Sequence, residues 1–157
     1  GPVIHYDYER STDFNAYNTY NYFDDMVTGL SVLDTKRLIR AIDTVMQAKG
    51  LQRSEGADFY IDIQSQEISN RTNSNVGVGV GGTGGNVGGG VSVGIPLNGG
   101  QYSREIVIEF VDLSKTGMFW QAIIETTFNP DASPEKREAQ FKALSEKVFS
   151  NYPPEKN

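Results

Sequence analysis

Arg104-Glu-Ile-Val-Ile-Glu-Phe-Val-Asp112 and Met118-Phe-Trp-Gln-Ala-Ile-Ile-Glu-Thr-Thr-Phe128 are joined by Leu113-Ser-Lys-Thr-Gly117, and this stretch decides the fold. In the first run Ile106, Ile108 and Phe110 alternate with Val107, Glu109 and Val111. A period of two is the signature of a strand, because successive side chains leave a pleated backbone on opposite faces. The second run alternates in the same way and is rich in aromatic and β-branched residues. The joining residues carry turn chemistry, with Gly117 free of the Cβ that penalises positive φ. The pair reads as an antiparallel hairpin at the apolar centre of a sheet. A five-residue loop puts Ile106, Ile108 and Phe110 on one face with Trp120, Ala122 and Ile124. A four-residue loop swaps the faces of one strand.

Working outward, residues 3–9 alternate Ile4, Tyr6 and Tyr8 with His5, Asp7 and Glu9, a first strand. Residues 17–23 form a second, aromatic-rich strand. Ser31-Val-Leu-Asp34 fits a capping box, with the serine hydroxyl bonding the backbone of Asp34 and the aspartate bonding back. It opens a helix over 32–49 whose stripe is Leu38, Ile42, Val45 and Lys49, flanked by Ile39, Ala41 and Met46. Gly50 ends it. Residues 58–67 form a third strand with Phe59, Ile61 and Ile63 inward. Ser133 is an N-cap and Pro134 a first helical residue. The last helix runs to about residue 150 on Phe141, Leu144 and Val148, and Pro153-Pro154 stops it.

Residues 77–100 hold 12 glycines in 24 positions. Val76, Val78 and Val80 still alternate with glycine, as do Val91, Val93 and Ile95. The region 76–100 is either a glycine-loaded hairpin, weakened by entropy, or a low-complexity loop. The order is β-β-α-β-(ββ)-β-β-α. It predicts one α+β domain over residues 3–152: an antiparallel sheet of about five to seven strands with two amphipathic helices on one face. The other face carries Val107, Val111, Phe119 and Ile123 among Glu105, Glu109 and Glu125. That is too apolar for a fully wet surface, so either the glycine segment or a partner covers it.

A 157-residue chain buries enough surface to fold without a staple. It has no cysteine, which excludes disulfides, thiolate zinc sites and cysteine nucleophiles. A net charge of −6 argues against nucleic acid or an anionic membrane surface as partner. No run is apolar enough to span a bilayer. Gly1-Pro2 reads as a tag scar, with the natural N-terminus removed.

The chemistry-bearing motifs are weak. Gly77-x-Gly79-x-x-Gly82 and Gly79-x-Gly81-x-x-Gly84 match the dinucleotide fingerprint as strings, but no helix pattern follows them. No lysine occurs between Leu51 and Ser114, which excludes a Gly-Lys-Ser/Thr phosphate loop. His5 is the only histidine and alternates away from Ile4 and Tyr6, so it reads as solvated. Asp24-Asp25 lacks the spacing of a calcium loop. Glu105, Glu109 and Glu125 share a face at separations open to a glycosidase-like acid pair, but such glutamates decorate any half-exposed sheet. No catalytic residue, metal site or cofactor is expected, and the chain reads as non-enzymatic. Tyr20 and Tyr22 could stack on a sugar or small ligand, against the plainer reading of core aromatics. Candidate partner-contacting positions are Val78 and Ser92 in the glycine segment and Val107, Val111, Phe119 and Ile123 on the second face.

Asp7-Tyr8 followed by Asp13-Phe14-Asn-Ala-Tyr17-Asn-Thr19-Tyr20 resembles the opening of the domain-of-unknown-function 4136 family of bacterial envelope lipoproteins. Arg40-Ala-Ile42 to Lys49-Gly50-Leu51, Asp58-Phe59, the run from Ile108 through Asp112 and Gly117 to Trp120, and Asn151-Tyr-Pro153-Pro154 continue the resemblance in order. Gln121-Ala122 departs from the small basic or glycine step of that family. The resemblance implies a secreted precursor with a lipidated cysteine upstream and a mature domain in the periplasm, tethered to the outer or inner membrane by its lipid. It brings no catalytic residues. Taken with the missing catalytic constellation and the half-apolar sheet face, it leads to the expectation of a binding or assembly module that contacts an envelope protein or itself through the sheet face or edge. A glycan- or small-ligand-binding domain is the alternative, and a hydrolase using paired glutamates the third reading.

Overall fold

A computed structural model describes residues 1–68, 101–115 and 117–155. The glycine-rich region, with Val78 and Ser92, lies outside the described residues. Those described form six strands in one sheet: β1 (Val3–Tyr8), β2 (Thr19–Tyr22), β3 (Gln52–Arg53), β4 (Phe59–Glu67), β5 (Tyr102–Asp112) and β6 (Gly117–Phe128). Their spatial order is β1-β6-β5-β4-β2-β3. Two α-helices, α1 (Val32–Ala48) and α2 (Pro134–Val148), pack on one face, and single 3₁₀ turns occupy Phe14–Ala16 and Phe149–Asn151. The α+β architecture is as the sequence predicts, with one refinement. The sheet is mostly antiparallel but mixed, because β2 runs parallel to both β3 and β4. The cause is α1, which carries the chain back across the sheet between β2 and β4 and so returns it in the same direction.

The central hairpin settles its own register. Asp112 pairs with Gly117, leaving a four-residue connection, 113–116, and Val111 faces Met118. A shift then intervenes, and Phe110 faces Trp120. Phe119 is the extra residue of a β-bulge, which places two consecutive residues of one strand opposite one of the other. The short loop swaps the faces of β6 and the bulge swaps them back. Ile106, Ile108 and Phe110 therefore share the core face with Trp120, Ala122 and Ile124, and all six are buried.

The helices are fixed at their ends by named groups. Ser31 Oγ accepts from the Asp34 amide at 3.1 Å, and Ser133 Oγ from the Lys136 amide at 3.2 Å. The capping box is only half made, since the Asp34 carboxylate turns to Arg37 and Arg137 instead of returning to Ser31. At the other end of α1, the Gly50 amide donates to Gln47 and the Leu51 amide to Met46, both at 3.0 Å. Gly50 has φ +92°, the left-handed closure a glycine permits. The buried stripe of α1 is Asp34, Leu38, Ile42 and Met46, a strict i, i+4 row. Val45 is half-buried and Lys49 exposed, contrary to the predicted stripe. On α2, Phe141, Leu144 and Val148 are buried as predicted, with Ser145 beside them.

Gly29 has φ +80°, and a Cβ there would collide with the Ser65 carbonyl oxygen. Ser65 Oγ donates to the Thr28 carbonyl at 2.7 Å, so loop and strand are held in contact and cannot part. Gly29→Ala is therefore expected to destabilise the fold by about 2 kcal/mol, from left-handed strain plus overpacking. Thermal unfolding followed by circular dichroism measures it, and an unchanged midpoint would refute the contact.

Candidate interaction surface

The face of the sheet opposite the helices is built from alternate residues of β1, β6, β5 and β4. Register places them in rows. His5, Ile123, Val107 and Gln64 form one row, and Asp7, Gln121, Glu109 and Asp62 the next. Val3, Glu125, Glu105 and Gln66 flank the first row, and Met118, Val111, Tyr60 and Asn21 flank the second. Apolar rows thus alternate with acidic ones, and no lysine or arginine stands at an open-face position in these four strands. Two cross-strand pairs set like charges opposite each other, Glu105 with Glu125 and Asp62 with Glu109. Such pairs destabilise a sheet. Gln121 Nε2 donates to Glu109 at 3.1 Å and partly relieves the second. The Phe23 ring lies 5.6 Å from that of Tyr60 and extends the apolar row past the edge of β4.

Three of the sequence-predicted contact positions, Val107, Val111 and Ile123, lie on this face and are half-buried. Phe119 does not. The bulge turns it into the core, where it is 1 % exposed and stacked on Tyr17 with centroids 4.2 Å apart. Met118 takes its place on the open face at 47 % exposed. Tyr60 belongs here too, a position the alternation of Phe59 and Ile61 already implied.

Tyr20 and Tyr22 cannot stack on a ligand. They are 0 % and 6 % exposed, and both hydroxyls donate to Asp43 Oδ1, at 2.7 and 2.8 Å. Arg53 closes the cluster from β3, 3.1 Å from Asp43 Oδ2 and 4.7 Å above the Tyr22 ring. Burial pushes both phenols far above their usual pKa, and the Asp43 carboxylate adds to the effect. The cluster ties α1 to the β2–β3 edge. Aromatic alternation alone does not tell a platform from a core face; the acceptor on the neighbouring helix does.

Three further perturbed groups, Tyr17, Asp112 and Asp58, are also internal braces. Tyr17 donates to Asp112 Oδ2 at 2.5 Å, and burial, then this bond, push its phenol up to about 12. Burial pushes the Asp112 carboxyl up, but bonds from Tyr17 and Ser114 outweigh it and leave it below its ordinary value. Asp58 accepts from the Asn18 and Thr19 amides at 2.8 and 3.0 Å, which lowers its carboxyl. His5, Asp24 and Asp25 are exposed. Among the described residues no three His, Asp or Glu side chains gather as a metal site, and no helix is long and apolar enough to cross a membrane.

The fold has relatives among solved structures. A PDZ domain protein from Parabacteroides distasonis superposes with a TM-score of 0.59 at 12 % identity, over 99 % of this chain and 37 % of that one. The chain thus spans little more than a third of that protein. The PelC dodecamer from Paraburkholderia phytofirmans matches in two crystal forms, each with a TM-score of 0.53. Identities are 11 % and 10 %, over 96 % of this chain and 95 % and 96 % of those. At such identities the likeness is one of fold. A search of curated proteins finds no match. The family described as domain of unknown function DUF4136 matches residues 4–154, nearly the whole chain, and the protein belongs to it.

Proposed function

We propose that this domain is a non-enzymatic binding or assembly module whose docking surface is the open face of the sheet. The observation that carries the reading is the row pattern. One like-charged cross-strand pair, Asp62 with Glu109, sits between the row of Ile123 and Val107 and the row of Met118, Val111 and Tyr60, and the other, Glu105 with Glu125, borders the Ile123 row on its far side. An arrangement that costs stability in the isolated domain is relieved by a partner offering lysine or arginine between apolar side chains. The partner is a second copy or another envelope protein. PelC, with the same fold, forms a dodecamer, which supports assembly as the form that binding takes. The setting that goes with this reading is the periplasm, with the domain tethered by a lipid on residues upstream of Val3. The tyrosine platform is withdrawn, since both rings are core.

Photo-crosslinking in the native envelope tests the proposal, with a benzophenone side chain at Val107 or Ile123 of the full-length protein and at Glu138, on exposed α2, as control. A discrete adduct from both sheet positions and none from Glu138 is expected. Glu105→Gln is expected to raise the stability of the isolated domain by up to about 0.5 kcal/mol while lowering adduct yield. No adduct from either position in folded, anchored protein would sink the reading.

A further inference from the structure

On the opposite side of the sheet a cavity of about 300 Å³ opens between α2 and the ends of β5 and β6. Ile106 and Phe128 wall it from the sheet, and Phe141 and Leu144 from the helix. Its charged lining is Arg104 and Lys147, with no Asp or Glu among the described residues around it. That is unexpected in a chain of net charge −6. Arg104 is 9 % exposed, and its guanidinium carbon lies 3.8 Å from the centroid of the Phe128 ring. The ring holds the guanidinium by a cation–π contact, and among the described residues no acceptor takes a hydrogen bond from its N–H groups. Glu67 is the cross-strand neighbour of Arg104, but among the described residues no carboxylate forms an ion pair with it. Lys147 stands at the mouth, where its ammonium donates to the Pro2 carbonyl at 3.1 Å.

The Arg104 guanidinium is desolvated beside an apolar cavity and meets the Asp34 and Glu67 carboxylates only at a distance, while Lys147 adds an exposed cation at the mouth. An anion with an apolar body supplies what is missing. Size narrows the class: at about 30 Å³ per water-sized group, the cavity holds about ten heavy atoms.

We propose that this cavity is a binding site for a medium-chain monocarboxylate, its carboxylate held by Arg104 and Lys147 and its tail among Ile106, Phe128, Phe141 and Leu144. The site is independent of the open sheet face, which lies across the sheet from it.

Octanoate, which has the required size, is the probe, and 1-octanol the uncharged comparator. Both are titrated into isotope-labelled protein and followed by amide chemical shifts. Octanoate is expected to give saturable shifts at Phe128, Phe141 and Leu144, with octanol at least about tenfold weaker, the increment of a charge-assisted hydrogen bond. Lys147→Gln, an exposed change, should weaken octanoate severalfold and leave octanol unaffected. Ala143→Phe, on the exposed rim, should abolish both. Arg104→Gln should remove the preference for the acid, and if that variant fails to fold, the Lys147→Gln comparison decides alone. The proposal is overturned by the absence of saturable shifts at any octanoate concentration below its micelle threshold, by octanol binding as tightly as octanoate, or by Lys147→Gln weakening both ligands equally.

Discussion

Trp120→Ala is expected to cost about 3–5 kcal/mol, the range for removing a large buried aromatic. Trp120 is 1 % exposed at the centre of the sheet. Its ring lies 4.6 Å from Phe110, 5.4 Å from Phe149 and 5.5 Å from Tyr152. Those partners come from β5, from the 3₁₀ turn after α2 and from the C-terminal segment. The cavity left behind therefore cannot close by moving one side chain. Such a loss is a large fraction of the 5–15 kcal/mol that holds a typical domain together. The measurement is urea unfolding by far-ultraviolet circular dichroism, since the substitution removes the only tryptophan as a fluorescent probe. Trp120→Phe serves as control and should recover most of the loss, because it keeps a ring against Phe110 and Phe149. A loss under about 1 kcal/mol for the alanine variant would show that the site collapses freely and that the aromatic cluster is not the keystone of the sheet.

Trp120 also shows what a sequence can and cannot carry. Its face was legible, because Trp120, Ala122 and Ile124 alternate in step with Ile106, Ile108 and Phe110. The route to that register was not. Alternation is blind to a bulge, because the extra residue shifts the phase only locally, and Phe119 looks like an open-face residue until its neighbours are seen. The helix ends were legible at Ser31, Gly50 and Ser133, where capping rests on a few adjacent backbone groups. Asp34 was half legible: its amide reaches Ser31 as the motif predicts, but its carboxylate answers to Arg137, 103 residues away. The parallel pairing of β2 with β4 was hidden for the same reason, since it depends on how α1 returns the chain. The candidate surface was legible as Val107, Val111 and Ile123. Its row pattern and its like-charged pairs follow from register, which periodicity alone leaves open. The cavity at Arg104 left no signal at all. A basic residue opening a strand reads as solvent-facing, and only the closure of α2 over Phe128 encloses it.

Asp34→Ala should be the second most damaging change, at about 3–5 kcal/mol, by the logic of breaking a buried ion pair from one side. The side chain of Asp34 is 6 % exposed, and its two oxygens meet Arg37 at 2.8 Å and Arg137 at 3.0 Å. Arg137 also donates to the carbonyls of Ala132 and Pro130, so it pins the loop before α2 to the first turn of α1. Alanine leaves two guanidinium groups facing each other with no counter-charge, and Arg104 stands close enough to add to the repulsion. Arg137→Met alone should cost less, because Asp34 keeps Arg37 as its partner. In the double variant Asp34→Ala/Arg137→Met the loss should fall well short of the sum, since the orphaned charge is removed with its partner. This non-additivity separates an electrostatic brace from a packing role. Strictly additive losses in urea unfolding would mean that Asp34 acts through packing in the first turn of α1 and that the bridge to Arg137 contributes nothing to holding the two helices together.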